Sequence, residues 1–278
     1  MTDMSPITEF FFSSEPISSP HERHTHNVYQ MIYVTKGSLY CEIAGNKVEC
    51  QAPAVVFIGN YEPHVIQPTS DEYERYVITL DPYKTNTSLS PETLHSVFSF
   101  HPAPFEYSLD VSKINGEIDV LVSMLYREWQ RKPRERLPGG IETLLSTLLY
   151  RLQTFSPSHF SQKRFGAAEM TVASVRKELE CNFAKKLDLG SLAKAHHVSR
   201  YYLAHIFKSV TGYSLKEYLM LCRISFACQQ LSGDTAKKRP ISKIAEESGF
   251  HDMSNFSRYF KEITGMSPSD FRKRASRA

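Results

Sequence analysis

LAKAHHVSRYYLAHIFKSVTGYSLKEY, residues 192–218, and IAEESGFHDMSNFSRYFKEITGMSPSDF, residues 244–271, are two copies of one pattern. Leu192, Ala193 and Val198 correspond to Ile244, Ala245 and Phe250 at an offset of 52. Leu203, Phe207, Lys208, Gly212 and Tyr218 correspond to Phe256, Phe260, Lys261, Gly265 and Phe271 at an offset of 53, so the second copy carries one extra residue in its turn. Each copy reads as a helix-turn-helix. A first helix places a small Ala (Ala193, Ala245) where a second helix must cross closely. A short turn follows through His197-Val198-Ser199 or Gly249-Phe250-His251, and Gly249 supplies the positive φ that such a turn wants. The second helix then buries Leu203, Ile206 and Phe207, or Phe256, Phe260 and Ile263, on one face. Ser199 is the expected N-cap of the first of these helices, and Asp252 or Ser254 of the second.

The opposite faces are polar. They carry Arg200, Tyr201, Ala204, His205 and Lys208 in the first copy, and Ser254, Asn255, Ser257, Arg258 and Lys261 in the second. An apolar inner face with a basic, hydrogen-bonding outer face suits a major groove. The competing reading is a helical repeat that only packs or binds protein. Charge favours the groove. The whole chain of 278 residues has a formal net charge of +3, but residues 170–278 hold 19 Lys and Arg against 10 Asp and Glu, a balance of +9. The remaining 14 basic and 20 acidic residues leave 1–169 at −6. A basic part joined to an acidic part points to a polyanionic partner for one of them.

The second copy, IAEESGFHDMSNFSRYFKEITGMSPSDFRK, resembles the signature of the AraC/XylS family of bacterial transcription regulators, and the resemblance runs over roughly residues 170–274. It implies a seven-helix DNA-binding domain. Two helix-turn-helix units would be held apart by a long central helix, here about 215–231, so that both recognition helices enter successive major-groove segments about 34 Å apart. Carried over by position, base contacts would come from Tyr201, Ala204 and His205, with Arg200 and Lys208 nearby, and from Met253, Ser254, Asn255 and Arg258. Ala204 and Met253 cannot make bidentate contacts, so direct readout would rest chiefly on Asn255 to adenine and Arg258 to guanine. Lys208 and Lys261 are read as phosphate contacts, as are Arg272, Lys273 and Arg274 unless these last three form a solvated tail.

The first half has a different texture. Residues 28–80 read as short β-strands rich in Val, Ile, Tyr and Phe, punctuated by turn signals at Lys36-Gly37-Ser38, Ala44-Gly45-Asn46-Lys47, Gln51-Ala52-Pro53 and Gly59-Asn60. From Ser112 the period becomes helical: Ile114, Ile118, Leu121, Leu125 and Trp129 recur until Arg131-Lys132-Pro133 stops the helix. A second helix after Gly139-Gly140 carries Ile141, Leu145, Leu148, Leu152 and Phe155. That seam serves either a dimer partner or the helix's own domain. His24-Thr25-His26, Gln30 and His64 resemble the ligand motifs of the cupin β-barrel. The even-numbered His24, His26 and Gln30 would share one face of a strand. Where metal-binding cupins have a Glu, this chain has Gln30, a weaker ligand for a divalent cation, which disfavours a metal site and leaves two readings: histidines that are structural or on the surface, or four contacts to a small polar effector. Tyr33, Tyr40, Tyr61 and the aromatics near Phe57 would either line that site or form core.

The five cysteines, Cys41, Cys50, Cys181, Cys222 and Cys228, are odd in number and include no C-x-x-C pair, so reduced thiols in a cytoplasm fit best. A signal peptide and a membrane span are not expected. The expected fold is two-domain α+β. An N-terminal cupin-like β-barrel with dimerisation helices occupies 1–155 (barrel about 10–110, helices about 112–155), and 156–169 is a linker. An all-α domain of 170–278 holds the first helix-turn-helix (about 189–210), the linker helix (about 215–231) and the second helix-turn-helix (about 241–263). The expected function is that of a sequence-specific transcription regulator and not an enzyme. The resemblance implies a small-molecule effector, with a carbohydrate-related one the family's habit; whether the chain is an activator, a repressor or both stays open in the sequence. Its expected partners are double-stranded DNA, that effector, a second copy of the chain and RNA polymerase, with no membrane and no cofactor.

Overall fold

Residues of the β region alternate between two environments, and that alternation builds a three-layer unit. The structure, a computed structural model, describes residues 5–14, 23–82, 84–85, 97–98, 106–160, 166–232 and 239–275. Most of the Asp81–Pro104 stretch, part of the expected linker and the side chain of Arg274 lie outside the described residues. By its internal contacts the chain divides into two compact units, Met1–His21 with Val28–Gln162, and Glu22–Asn27 with Lys163–Ala278.

In the first unit, strands β1 (Ile7–Ser13), β7 (Glu74–Leu80), β2 (Tyr29–Lys36), β5 (Ala54–Ile58) and β8 (Ser108–Asp110) form one sheet in the order β1-β7-β2-β5-β8. Strands β4 (Asn46–Gln51), β3 (Ser38–Ile43) and β6 (His64–Pro68) form a second sheet in the order β4-β3-β6. Successive side chains of a strand point to opposite faces. Ile32 and Val34 of β2, Val56 and Ile58 of β5 and Val77 of β7 therefore meet Leu39, Cys41, Ile43, Val48 and Ile66 of the smaller sheet in one core. The expected closed barrel is corrected by this topology: among the described residues the two sheets pack face to face without a ladder joining their edges. Strand β1 was not expected, and it pairs antiparallel with β7 from Ile7 opposite Leu80 to Ser13 opposite Arg75.

The other face of the large sheet carries Phe10, Tyr29, Met31, Tyr33, Val55, Phe57, Ile78 and Leu80, and two helices cover it. These are α1 (Asn115–Gln130) and α2 (Gly140–Phe155), with a 3-10 turn at Pro133–Glu135 between them. Ile141, Leu145, Leu148 and Leu152 of α2 are all buried in this core, with Phe155 partly buried against it. The seam therefore serves its own domain, each fully buried Leu contributing about 2 kcal/mol. Tyr33 donates to Asp119 Oδ1 of α1 at 2.6 Å, and Phe57 is fully buried beneath the helices, so neither lines the space between the sheets.

The second unit is helical. Helices α3 (Ala167–Cys181), α4 (Leu189–Ala195), α5 (Arg200–Thr211), α6 (Leu215–Ser232), α7 (Ile241–Glu247), α8 (Met253–Thr264) and α9 (Pro268–Ala275) are the seven elements among its described residues. Helix α6 is buried on nearly every side, through Leu215, Tyr218, Leu219, Met220, Leu221, Cys222, Ile224, Ala227, Cys228 and Leu231. Its 18 residues span about 27 Å. Among the described residues no helix is long and apolar enough to cross a membrane.

Candidate nucleic-acid interface and sensor interior

The repeat recurs as geometry. Ser199 accepts from the amide of Tyr202 at 3.1 Å and caps α5; Asp252 accepts from the amide of Asn255 at 2.6 Å and caps α8. The turn before each helix closes in the same way. The amide of Val198 reaches the carbonyl of Ala193, and that of Phe250 the carbonyl of Ala245, each at 3.0 Å. The positive-φ residue in each turn is Gly249 (φ 85) in the second copy and His197 (φ 55) at the equivalent place in the first. Sequence reasoning found the glycine and missed the histidine, because a non-glycine residue in the left-handed region leaves no compositional mark. Past the recognition helices, Gly212 and Gly265 close both C-termini, with φ 77 and 82. Phe207 packs edge-on to Tyr218, and Phe260 to Phe271, with ring centroids 5.4 Å apart in both cases.

The second turn is fastened to the loop after α3. An added Cβ on Gly249 would lie 2.6 Å from the carbonyl oxygen of Ala184. Arg223 of α6 donates to the carbonyls of Phe183 and Lys185 at 2.8 and 2.9 Å, and its guanidinium lies 5.5 Å from the ring centre of Phe250. One half-buried arginine thus ties the end of α3, the central helix and the second turn together.

Burial separates the two sides of each recognition helix. Leu203, Ile206 and Phe207 of α5 and Phe256 and Phe260 of α8 are buried, while Ile263 is half-buried. On the other side Arg200, Tyr201, Ala204, His205, Lys208, Met253, Ser254, Asn255, Arg258 and Lys261 are exposed, and Ser257 is half-buried. Tyr201 is 84% exposed, far more than a tyrosine held by its own fold needs. Arg258 donates to Asn255 Oδ1 at 3.4 Å, lies 3.6 Å from Glu262 and covers the Tyr259 ring at 4.2 Å. Exposed pairs of this kind are worth well under about 1 kcal/mol, so a better acceptor displaces them at little cost.

The expected effector residues lie on three segments of the chain. Strand β2 begins at Tyr29, so His24 and His26 precede it and do not share its face, because the chain bends at Asn27-Val28. Their rings lie 5.8 Å apart, both half-buried, on the segment grouped with the second unit. Gln30 is in β2 and, by the parity of Ile32 and Val34, faces the space between the sheets. Thr79 lies opposite it in register, and Gln30 Oε1 and Thr79 Oγ1 are buried without hydrogen-bond partners. His64 of β6 is fully buried, and its Nδ1 lies 2.8 Å from the carbonyl of Glu62. Donation to that carbonyl makes Nε2 an acceptor in the neutral ring. Glu62 is itself fixed by the amide of Gly59 at 2.6 Å and the hydroxyl of Tyr107 at 3.1 Å.

A paired-sheet unit with buried polar groups between its sheets, in one chain with two capped helix-turn-helix units on a common central helix, defines the class: a sensor domain joined to a nucleic-acid-binding domain. Residues 10–149 match the AraC-like ligand binding domain and residues 192–274 a helix-turn-helix domain. The chain belongs to the AraC-like family. It is 32% identical over 135 residues to the Msm operon regulatory protein of Streptococcus mutans, a match covering 49% of this chain and 46% of the relative. The chain thus spans about half the length of that relative. To the probable transcriptional regulator LumQ of Photobacterium leiognathi it is 23% identical over 262 residues, 94% of this chain and 95% of the relative. A crystal structure of unsaturated-fatty-acid-bound ToxT from Vibrio cholerae shares the fold with a TM-score of 0.63 at 16% identity, covering 95% of both chains.

Proposed function

We propose that this chain is a sequence-specific, double-stranded-DNA-binding transcription regulator whose N-terminal unit senses a small molecule. One observation carries the reading: in both copies the apolar side of the recognition helix is buried and the polar side is presented to solvent, on elements held by one central helix. Helices α5 and α8 enter the major groove. Asn255 reads adenine and Arg258 reads guanine, with Tyr201 and His205 on the other half-site and Lys208 and Lys261 on phosphates. Arg200, Ala204, Met253, Ser254 and Ser257 complete the contact face.

The effector lies between the sheets, where the Gln30 and Thr79 side-chain oxygens offer acceptors to hydroxyl groups, as a carbohydrate-related ligand would require, and His64 is a further contact. His24 and His26 are kept as effector-responsive residues, and their substitution is a separate arm of the test. The domains of this reading are 1–155 and 170–278 with a linker of 156–169, in a homodimer acting in a bacterial cytoplasm as an activator, with RNA polymerase as a further partner and no enzymatic activity. Since the α2 seam is buried, the dimer face is drawn from the exposed apolar residues Val120 and Met124 of α1 and Tyr150 of α2.

Genomic fragments captured by the purified protein test the reading. A common motif with two half-sites about one helical turn apart is expected. Capture without sequence preference, or affinity unchanged by Arg258→Ala and Asn255→Ala together, overturns it.

A further inference from the structure

Arginine is seldom buried without an acid beside it, because removing a guanidinium from water is costly unless a counter-charge and hydrogen bonds replace the lost hydration. Arg75 breaks that rule. It lies in β7 with Ser13 opposite it on β1 and Val34 on β2. It is 8% exposed, and its Nη1 is buried without a hydrogen-bond partner. Among the described residues no carboxylate forms an ion pair with it. Its guanidinium lies 4.9 Å from the ring centre of Tyr73. Stacking of that kind engages the flat face of the group and leaves Nη1 at its edge unused.

Tyr73 adds the second half. It is 1% exposed, it belongs to the core between the sheets, and its hydroxyl is also buried without a partner. Burial pushes its phenol well above the usual range while the neighbouring Arg75 pulls it down, so the hydroxyl keeps its proton and remains a donor. Two buried groups in contact thus present unused donors, and the missing component is an acceptor carrying negative charge.

The geometry points to Arg75 and Tyr73 as an anion anchor between the sheets, which takes the carboxylate group of a small organic acid. The inference rests on the reading that this interior is the sensor site, and it deepens that reading by giving the hydroxyl-bearing effector an acidic group. A carboxylate is preferred to a phosphate ester for a physical reason. One guanidinium neutralises one charge, and a phosphate monoester brings between one and a half and two, leaving net charge in a low-dielectric interior. The planar carboxylate also matches the planar fork of an arginine.

The test uses the full chain, with acetate, butyrate, octanoate and benzoate as probes. Their primary amides serve as neutral counterparts and inorganic phosphate as the competing anion. Binding is followed by calorimetry and by the shift in melting temperature. At least one acid is expected to bind wild type about 10- to 100-fold more tightly than its amide, with Arg75→Met reducing its affinity by a similar factor and Tyr73→Phe by less. Arg75→Met is also expected to melt at or above the temperature of unliganded wild type, because it removes an unpaired buried charge while keeping the side chain's bulk. A merely structural arginine would give the opposite sign.

The inference is overturned by any one of four results. These are no binding by any of the acids, equal binding of acid and amide, unchanged acid binding in Arg75→Met, and phosphate binding more tightly than every acid. DNA binding measured with and without the acid separates this inference from the sensor reading. Acid binding that leaves operator affinity unchanged keeps the anchor and removes the sensor role. A neutral ligand that changes operator affinity equally in wild type and Arg75→Met keeps the sensor role and removes the anchor.

Discussion

Gly249→Ala isolates the contact that fastens the second helix-turn-helix to the body of its domain. At φ 85 an L-residue pays about 1–2 kcal/mol for the left-handed conformation. The unfolded chain of the Ala variant loses conformational freedom, which returns about 0.5–1 kcal/mol. Those two contributions also apply at Gly265, φ 82, where nothing lies within 4 Å of an added Cβ. At Gly249 the methyl would sit 2.6 Å from the Ala184 carbonyl oxygen and 2.8 Å from its Cα, both of them backbone. Forced overpacking of that kind costs a further 1–3 kcal/mol, roughly. Gly249→Ala should therefore destabilise by about 2–4 kcal/mol and Gly265→Ala by only about 0.5–1. Equilibrium urea unfolding should be followed by far-ultraviolet circular dichroism, because the single tryptophan, Trp129, lies in the other unit and fluorescence would miss the event. Two variants agreeing within about 0.5 kcal/mol would refute the Ala184 contact as the reason for the glycine. His197→Gly supplies the reverse control: relief of φ 55 in a non-glycine residue should stabilise the first copy, by about 0.5–1 kcal/mol.

Three further outcomes follow from the same geometry. Arg258→Ala should lower discrimination at one base position by about 1–3 kcal/mol in gel shifts on an operator series, and equal loss on every sequence would reassign the residue to phosphate. Asp252→Ala removes the cap of α8 and should cost about 1 kcal/mol in denaturant unfolding, with Asp252→Asn close to wild type; a large loss in Asn would mean the charge, not the acceptor, matters. Burial pushes the Cys41 thiol up to about 12 and Cys50 up to about 11 from the ordinary thiol value of 9.0. Below pH 9 folded and unfolded chains both hold these protons, so stability is unaffected. Between 9 and about 12 the unfolded chain sheds them first, and the first unit should lose stability progressively, an effect that Cys41→Ala with Cys50→Ser would diminish.

Much of the architecture could be read from the chain alone, since repetition and periodicity are properties of residue order. The two copies, their caps and the face of α5 and α8 turned to solvent follow from spacing, because a helix repeats every 3.6 residues whatever surrounds it, while the long helix between them was implied by the family resemblance. Period, however, says which residues share a face and nothing about what that face meets. The α2 seam reads equally well for a partner or for the chain's own sheet, and only the packing of Leu145 and Leu148 against the sheet core decided it. Closure of the strands into a barrel depends on which edges find each other across long stretches of sequence, and here, among the described residues, the sheets face without joining. The pairing of an arginine is a distance rather than a pattern. Glu72 and Glu74 flank Arg75's neighbourhood in sequence, yet alternation along the strand turns Arg75 inward, where among the described residues no carboxylate forms an ion pair with it. That inward turn, invisible in the order of residues, makes the interior of the first unit a candidate for an anionic guest.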